Sequence, residues 1–238
     1  MNPPALALSV IVPAFNEEAL LAGTVQSLRE ALSALGLGYE LIIVNDGSRD
    51  RTGPIADELA LTAPSVKVHH QENQGLGGAL RTGIARARGE YLITWPADTP
   101  AGREDLAPFV AELGQADVLV GVRSRRAGYN PLMLVNSWIY PRLVSLLFGL
   151  QLRDVNWIHL YRTPLIQQVR LTQRGIPMLV EALVRLRDLG ATFREVPSEM
   201  KERTAGVASA SRLRVMWRTL RGLLGFWSLW RQERRSAP

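Results

Sequence analysis

Apolar residues gather in short runs through the first half of the chain and spread into helical stripes through the second. Leu8–Val12, Leu41–Val44 and Tyr91–Trp95 are runs of strand length bounded by turn residues. With further runs at 66–70 and 117–122 they alternate with helix-period segments at 17–35, 51–62, 76–88 and 103–113. Such alternation on short connections predicts an α/β fold with a mostly parallel sheet and helices on both faces. Gly36 and Gly38 are expected to end the first helix and Gly89 the third, at places suited to positive φ. Asp50 is placed to cap the second.

Beyond Gly121 the pattern changes. Leu132–Leu152 is almost wholly apolar and aromatic, interrupted by Asn136, Pro141 and Arg142. A membrane span needs about 20 mainly apolar residues, and a Pro-Arg pair sits in the middle of this run. It predicts a broken, surface-lying helix pair. A strand near 155–161, helices near 163–171 and 178–189 and a strand near 192–196 follow, and Lys201–Ser211 reads as a polar loop.

The last stretch is the clearest helix. Leu213, Met216, Trp217, Leu220, Leu223, Leu224, Trp227 and Trp230 recur at three- and four-residue steps, while Arg212, Arg214, Arg218 and Arg221 lie elsewhere around it. Arg231, Arg234 and Arg235 close the helix. Such a stripe either caps a core or lies in a membrane interface. Three Trp beside this many Arg favour the interface. The expected organisation is one domain over 1–211, with halves at 1–125 and 126–211, followed by a basic amphipathic helix over 212–238.

Composition sharpens this picture. The 238 residues can bury a sizeable core, and with no cysteine the chain forms neither disulfides nor thiolate metal sites. The start of the chain lacks a basic segment followed by an apolar one, so no signal peptide is expected. The net charge of +6 is unevenly shared. Residues 1–125 carry 10 Lys and Arg against 15 Asp and Glu, and residues 126–238 carry 18 against 7. The basic half also holds Trp138, Tyr140, Trp217, Phe226, Trp227 and Trp230, which favours a membrane surface with anionic lipids over nucleic acid. Peripheral attachment at a cytoplasmic membrane face, with no transmembrane helix, is the expectation.

The three strongest runs deliver Glu17, Asp46 and Asp98 to their ends. In an open parallel sheet ligands bind at the carboxyl ends of the strands, so these carboxylates suit a divalent metal, a ribose or a base edge. Pro13 stops its strand, turning Asn16 and Glu17 toward the crevice. The Gly75–Gly78 stretch has neither the spacing of a dinucleotide fingerprint nor the Lys-Ser/Thr of a P-loop, and on its own it is a tight loop into a helix. His69, His70 and His159 form no spaced metal set and are read as structural.

These segments, in this order, resemble family 2 glycosyltransferases of the GT-A fold, and within them polyprenyl-phosphate sugar transferases of the dolichyl-phosphate mannose synthase type. The likeness runs from about Leu8 to Arg221. It rests on Val10-Ile11-Val12-Pro13-Ala14-Phe15-Asn16-Glu17, on Ile43-Val44-Asn45-Asp46-Gly47-Ser48-Arg49-Asp50 and on Asn73-Gln74-Gly75-Leu76-Gly77-Gly78-Ala79 with Gly83. Arg123 after Val120-Gly121, Asp154, and Arg203 with Gly206 and Ser209 continue it. The resemblance implies a nucleotide-sugar site at Pro13, Phe15, Asn16, Glu17, Asp46, Gly75, Arg81, Ala97 and Asp98. It implies Mg²⁺ or Mn²⁺ at Asp98, catalytic roles for Asp98, Arg123, Asp154 and Arg203, and an acceptor-phosphate site at Arg123, Arg126, Arg203 and Ser209. The family's Asp-x-Asp, often followed by Gln, is Pro96-Ala97-Asp98-Thr99-Pro100 here, so one carboxylate is missing and metal affinity should fall.

The activity so implied is inverting transfer of a sugar from a nucleotide diphosphate sugar to a polyprenyl phosphate at a membrane surface. An acceptor phosphate needs no general base, whereas a hydroxyl acceptor would need one, for which Asp154 is the candidate. The alternative is a catalytically weak homologue that binds nucleotide or lipid phosphate as a membrane partner. A nucleotidyltransferase ranks last, because no basic Gly-rich loop occurs near residue 15.

Overall fold

The computed structural model describes residues 6–124, 131–199 and 213–236. Among them lie the strands β1 (Leu6–Ala14), β2 (Gly38–Asp46), β3 (Val66–Gln71), β4 (Tyr91–Thr94), β5 (Val118–Arg123), β6 (His159–Arg162) and β7 (Phe193–Ser198). The helices are α1 (Leu21–Ala34), α2 (Thr52–Thr62), α3 (Leu76–Arg86), α4 (Arg103–Ala111), α5 (Pro131–Phe148), α6 (Thr163–Ile166), α7 (Pro177–Asp188) and α8 (Leu213–Ser236). One sheet carries the strands in the order β3-β2-β1-β4-β6-β5-β7. All its pairings are parallel except those of β6, which runs antiparallel to β4 and β5. The α/β architecture with a mostly parallel sheet is therefore as expected.

Burial on both faces explains why the early strands read as unbroken apolar runs rather than alternating ones. Val10, Val12, Leu41 and Ile43 pack with Leu21, Val25 and Leu28 of α1 and Phe109 of α4. Ile11, Ile42 and Val44 point to the other face, toward Leu80 of α3, Val144 and Phe148 of α5, Leu183 of α7 and Phe226 of α8. Each fully buried Leu or Phe contributes about 1.5–3 kcal/mol relative to exposure.

Three local expectations are corrected. The run around Pro141 is one continuous helix, not a broken pair, and it does not merely lie on the surface. Tyr140, Val144 and Phe148, at four-residue steps, are buried in the core. That packing holds the helix through a proline that removes one of its hydrogen bonds. Of the glycines, Gly36 has φ 69° as expected, but Gly38 begins β2 and Gly89 has no positive φ. A Cβ at Gly89 would stand 2.6 Å from the Ser9 nitrogen, so close approach to β1 is what requires glycine there. The helix foreseen over 163–171 is only the single turn α6, and the strand foreseen from 155 begins at His159.

The last helix divides its apolar stripe. Leu223, Phe226 and Trp230 are buried, with Phe226 stacked on Phe148 at 5.1 Å between ring centroids. The Trp230 indole N–H donates to Asp188 Oδ2 at 2.6 Å, and that of Trp227 to the Leu147 carbonyl at 3.0 Å. Trp217, Leu224 and Leu229 remain exposed, as do Leu134, Val135, Trp138 and Ile139 of α5. Among the described residues no helix is long and apolar enough to cross a membrane.

Candidate functional site

Parallel strands β1, β2 and β4 all end at one edge of the sheet. Antiparallel β6 begins at that same edge, so the turn Asp154–Ile158 before it arrives there too. Between these termini and α3 lies a cleft of about 450 Å³. Pro13, Phe15 and Glu17 line it from β1, Asp46 from β2, Trp95, Pro96, Ala97 and Asp98 from β4. Asn156, Trp157 and Ile158 supply the wall ahead of β6, and Leu76, Ala79 and Leu80 that of α3.

The loops after β1 and β2 are stitched together. Asn16 sits at φ 56°, a left-handed conformation that Asn tolerates better than most residues. Its backbone N–H donates to Ser48 Oγ at 3.0 Å, and its Oδ1 accepts from the Arg49 N–H at 2.9 Å. The Glu17 N–H donates to Thr52 Oγ1 at 2.8 Å. Asp50 Oδ1 accepts from the Thr52 N–H at 3.0 Å, and its Oδ2 from the Glu18 N–H at 3.2 Å. Arg51, not Asp50, is the cap residue of α2, and Asp50 instead ties the first residue of that helix to the neighbouring loop.

Asp46 is 3% exposed, so its charge must be met by donors. Its Oδ1 accepts from Gln71 Nε2 at 2.6 Å and from the Gln74 N–H at 2.9 Å, while the Thr82 hydroxyl donates to Gln71 Oε1 at 2.6 Å. These bonds orient the carboxylate rather than neutralise it. On β4, the Trp95 indole N–H donates to the Thr99 carbonyl at 2.6 Å and the Thr99 hydroxyl to Asp98 Oδ1 at 3.0 Å, closing a tight turn around Pro96.

Beyond Asp98 lies a buried ion pair. Arg123 Nε and Nη2 donate to Asp154 Oδ2 and Oδ1 at 2.7 and 2.8 Å, and the Asn156 N–H donates to Oδ1 at 3.2 Å. Burial pushes the Asp154 carboxyl up, but the Arg123 hydrogen bonds and charge outweigh it and hold the group below its ordinary value. His159 is fully buried nearby, and among the described residues neither ring nitrogen has a hydrogen-bond partner. Burial drives its pKa down to about 4 against the opposing pull of Asp154, so it is neutral at pH 7.

Of the residues named from sequence, the cleft gathers Pro13, Phe15, Glu17, Asp46, Ala97 and Asp98. Asn16, Gly75 and Arg81 do not line it. Gly75, at φ 74°, starts α3, and Arg81 Nη1 donates to the Gln173 carbonyl at 2.9 Å, clamping the segment before α7. Arg123 and Asp154 form the ion pair behind the far wall, and Arg126, Arg203 and Ser209 lie outside the described residues. Asn156, Trp157 and Ile158 carried no periodic signal. Only the proximity of Asp154 pointed toward them.

Among the described residues no three His, Asp or Glu side chains gather around one point to hold a metal ion. Of the three carboxylates lining the cleft, Glu17, Asp46 and Asp98, Asp46 accepts from two donors and Asp98 from the Thr99 hydroxyl. Mg²⁺ commonly binds through one or two carboxylates, with phosphate oxygens and water completing its shell. The donor set fits such a shared site and not an all-protein cage.

The chain matches Glycosyl transferase family 2 over residues 9–186. It is 34% identical over 191 residues to dodecaprenyl-phosphate galacturonate synthase of Rhizobium johnstonii, covering 75% of this chain and 55% of that protein. With undecaprenyl-phosphate 4-deoxy-4-formamido-L-arabinose transferase of Shewanella sediminis it shares 29% over 149 residues, 62% of this chain and 45% of the other. The chain thus spans about half the length of these relatives. In fold it is similar to glucosyl-3-phosphoglycerate synthase of Mycobacterium tuberculosis, solved with Mn²⁺, UDP-glucose and phosphoglyceric acid. That superposition has a TM-score of 0.70 at 18% identity, covering 94% of this chain and 80% of the other. The same enzyme was also solved with Mg²⁺ and UDP. By the span of the family match and the sheet-edge cleft, this chain belongs to glycosyl transferase family 2.

Proposed function

We propose that the protein transfers a sugar from a nucleotide diphosphate sugar to a polyprenyl phosphate, inverting the anomeric carbon. The observation that carries this reading is a second, apolar cavity that has a lining residue in common with the first. A groove of about 260 Å³ runs between α5 and α8, lined by Ile139, Tyr140, Leu143, Met216, Trp217 and Leu220, and shares Asn156 with the cleft. A cleft lined by Glu17, Asp46 and Asp98 next to an apolar groove suits a charged donor and a lipid acceptor. Relatives named for dodecaprenyl- and undecaprenyl-phosphate support it.

The chemistry asks little of the side chains. A phosphate monoester has its second pKa near about 6, so at pH 7 it is largely dianionic and attacks C1 without a general base. The chain must hold donor and acceptor in line and keep water away. Asp46 and Glu17 would bind base and ribose, because a carboxylate accepts from hydroxyls and ring N–H groups. Asp98 would hold a divalent ion, which when bound supplies charge stabilisation to the departing diphosphate. Arg123 has already committed Nε and Nη2 to Asp154, so the pair acts first as a rigid wall behind the reacting end. Arg126, Arg203 and Ser209 remain proposed acceptor-phosphate ligands.

Attachment to an anionic lipid surface through the exposed faces of α5 and α8 belongs to the same proposal, as does the division at residue 211. The test gives full-length protein a polyprenyl phosphate and a panel of labelled UDP- and GDP-sugars, with Mn²⁺ or EDTA. Label should enter the organic phase with Mn²⁺ and fall in EDTA. Nucleotide binding without transfer across the panel would favour the non-catalytic reading, which Pro96 in place of an acid supports.

A further inference from the structure

The far wall of the cleft carries an indole fixed on several sides. Trp157 is half-buried, and its Nε1–H donates to Ser198 Oγ at 3.0 Å. The Arg123 guanidinium carbon stands 5.3 Å over its ring centroid, and Arg123 is itself locked by the bidentate bond to Asp154. A Cβ added at Gly121 would lie 3.3 Å from Trp157 Cδ1, so β5 packs against the indole as well. An aromatic side chain lining a cleft in a fixed orientation is a surface prepared for a flat or apolar face.

The sheet order says which part of the donor meets it. The cleft crosses β2, β1, β4 and the start of β6 in that sequence, from Asp46 through Glu17 and Asp98 to Trp157. Neighbouring strands lie about 4.8 Å apart, so the two ends are on the order of 14 Å apart. If Asp46 takes the nucleoside and Asp98 the diphosphate, the sugar falls at Trp157. The groove leads to the same conclusion independently. Asn156, the neighbour of Trp157, lines both groove and cleft, so an acceptor held in the groove would approach C1 of the sugar from this end.

We propose that Trp157 is the platform on which the donor's pyranose ring stacks, making it a specificity-determining residue of the site. This inference rests on the transferase reading above. A pyranose is polar around its rim and presents C–H bonds on its faces. Those bonds, weakly positive at hydrogen, are attracted to the negative face of an aromatic ring. The cleft lining also includes Pro96, Ala97 and Ile158, which donate and accept nothing through their side chains. On the Trp157 side the sugar is therefore held by shape and stacking, with Asn156 a polar side chain next to it. The site accepts sugars with a continuous C–H face and disfavours those whose axial hydroxyl would stand against the indole.

The test separates the sugar from the nucleotide. Affinities of full-length wild type, Trp157→Ala and Trp157→Phe are measured for UDP, UDP-glucose and UDP-galacturonate, and for GDP and GDP-mannose, by calorimetry with Mn²⁺. In Trp157→Ala the nucleotide sugar should weaken about three- to tenfold relative to its own free nucleotide. Trp157→Phe keeps an aromatic face and should hold that ratio within about twofold. Unchanged affinity for the free nucleotide shows that the variant is folded at the other end of the cleft. Equal loss of nucleotide and nucleotide sugar, or no change in either, overturns the platform while leaving the transferase reading intact. Failure of the wild type to bind any of the nucleotides overturns both.

Discussion

At the scale of residues, the Arg123–Asp154 pair is the most consequential polar contact behind the cleft. Removing one partner of a buried pair strands the other charge, at a cost of about 3–5 kcal/mol. Arg123→Ala should therefore lower the melting temperature by on the order of 10 °C for a chain of this length. It should also raise the Asp154 carboxyl, because burial would then be opposed chiefly by the Asn156 N–H bond. Acid stability follows from two groups. His159 has its pKa lowered to about 4 in the folded chain, so below about 6.5 the unfolded state takes up a proton that the folded state refuses. Stability from this group is complete above that value and is lost as pH falls toward 4. Asp154, depressed below its ordinary value, removes a further increment at still lower pH. Thermal melts between pH 7 and 4 check this, and His159→Leu should flatten the profile in the upper part of that window. The strand-end acids were legible in sequence because each closes an apolar run. Asn156 and Trp157 were not. Their placement depends on β6 running against its neighbours, and no local pattern encodes strand direction.

At the scale of elements, the start of α3 is wedged against the segment before α7. The Gly77 N–H donates to the Arg174 carbonyl at 2.8 Å, and a Cβ at Gly77 would stand 2.3 Å from the Gln173 carbonyl oxygen. Backbone atoms cannot rotate aside as a side chain can. Gly77→Ala should cost about 1–3 kcal/mol, read as a lower denaturant midpoint with an unchanged slope. The segment is held from the other side as well. Buried Glu181 accepts from the Thr172 and Gln173 N–H groups and from the Thr172 hydroxyl, each at 2.8 Å. Sequence displayed the glycines but not their reason, since the contact joins residues nearly a hundred positions apart. The early strands and helices were predictable because their signals are local. Helix α5 misled because Pro141 argues locally for a break, whereas Tyr140, Val144 and Phe148 argue through burial for continuity. Stacking of Phe148 on Phe226 likewise turned part of the α8 stripe toward the core.

At the scale of the whole molecule, α5 and α8 expose Trp138, Ile139, Trp217 and Leu224 on the basic half of the chain. Co-sedimentation with vesicles containing anionic lipid should be strong at low salt and fall several-fold between about 0.05 and 0.5 M NaCl, as screening shortens the reach of the charges. Trp217→Asp should weaken it further while leaving the melting temperature nearly unchanged, since that side chain is 71% exposed. The unequal sharing of charge has an additional consequence. With 15 acids against 10 bases in residues 1–125, and 18 bases against 7 acids beyond them, the two halves of the chain carry opposite net charge. An anionic sheet attracts the basic half within roughly a Debye length, about 10 Å at 0.1 M salt. Under the proposed attachment that attraction acts on the same half of the chain as the exposed side chains of α5 and α8, so charge and apolar contact reinforce each other.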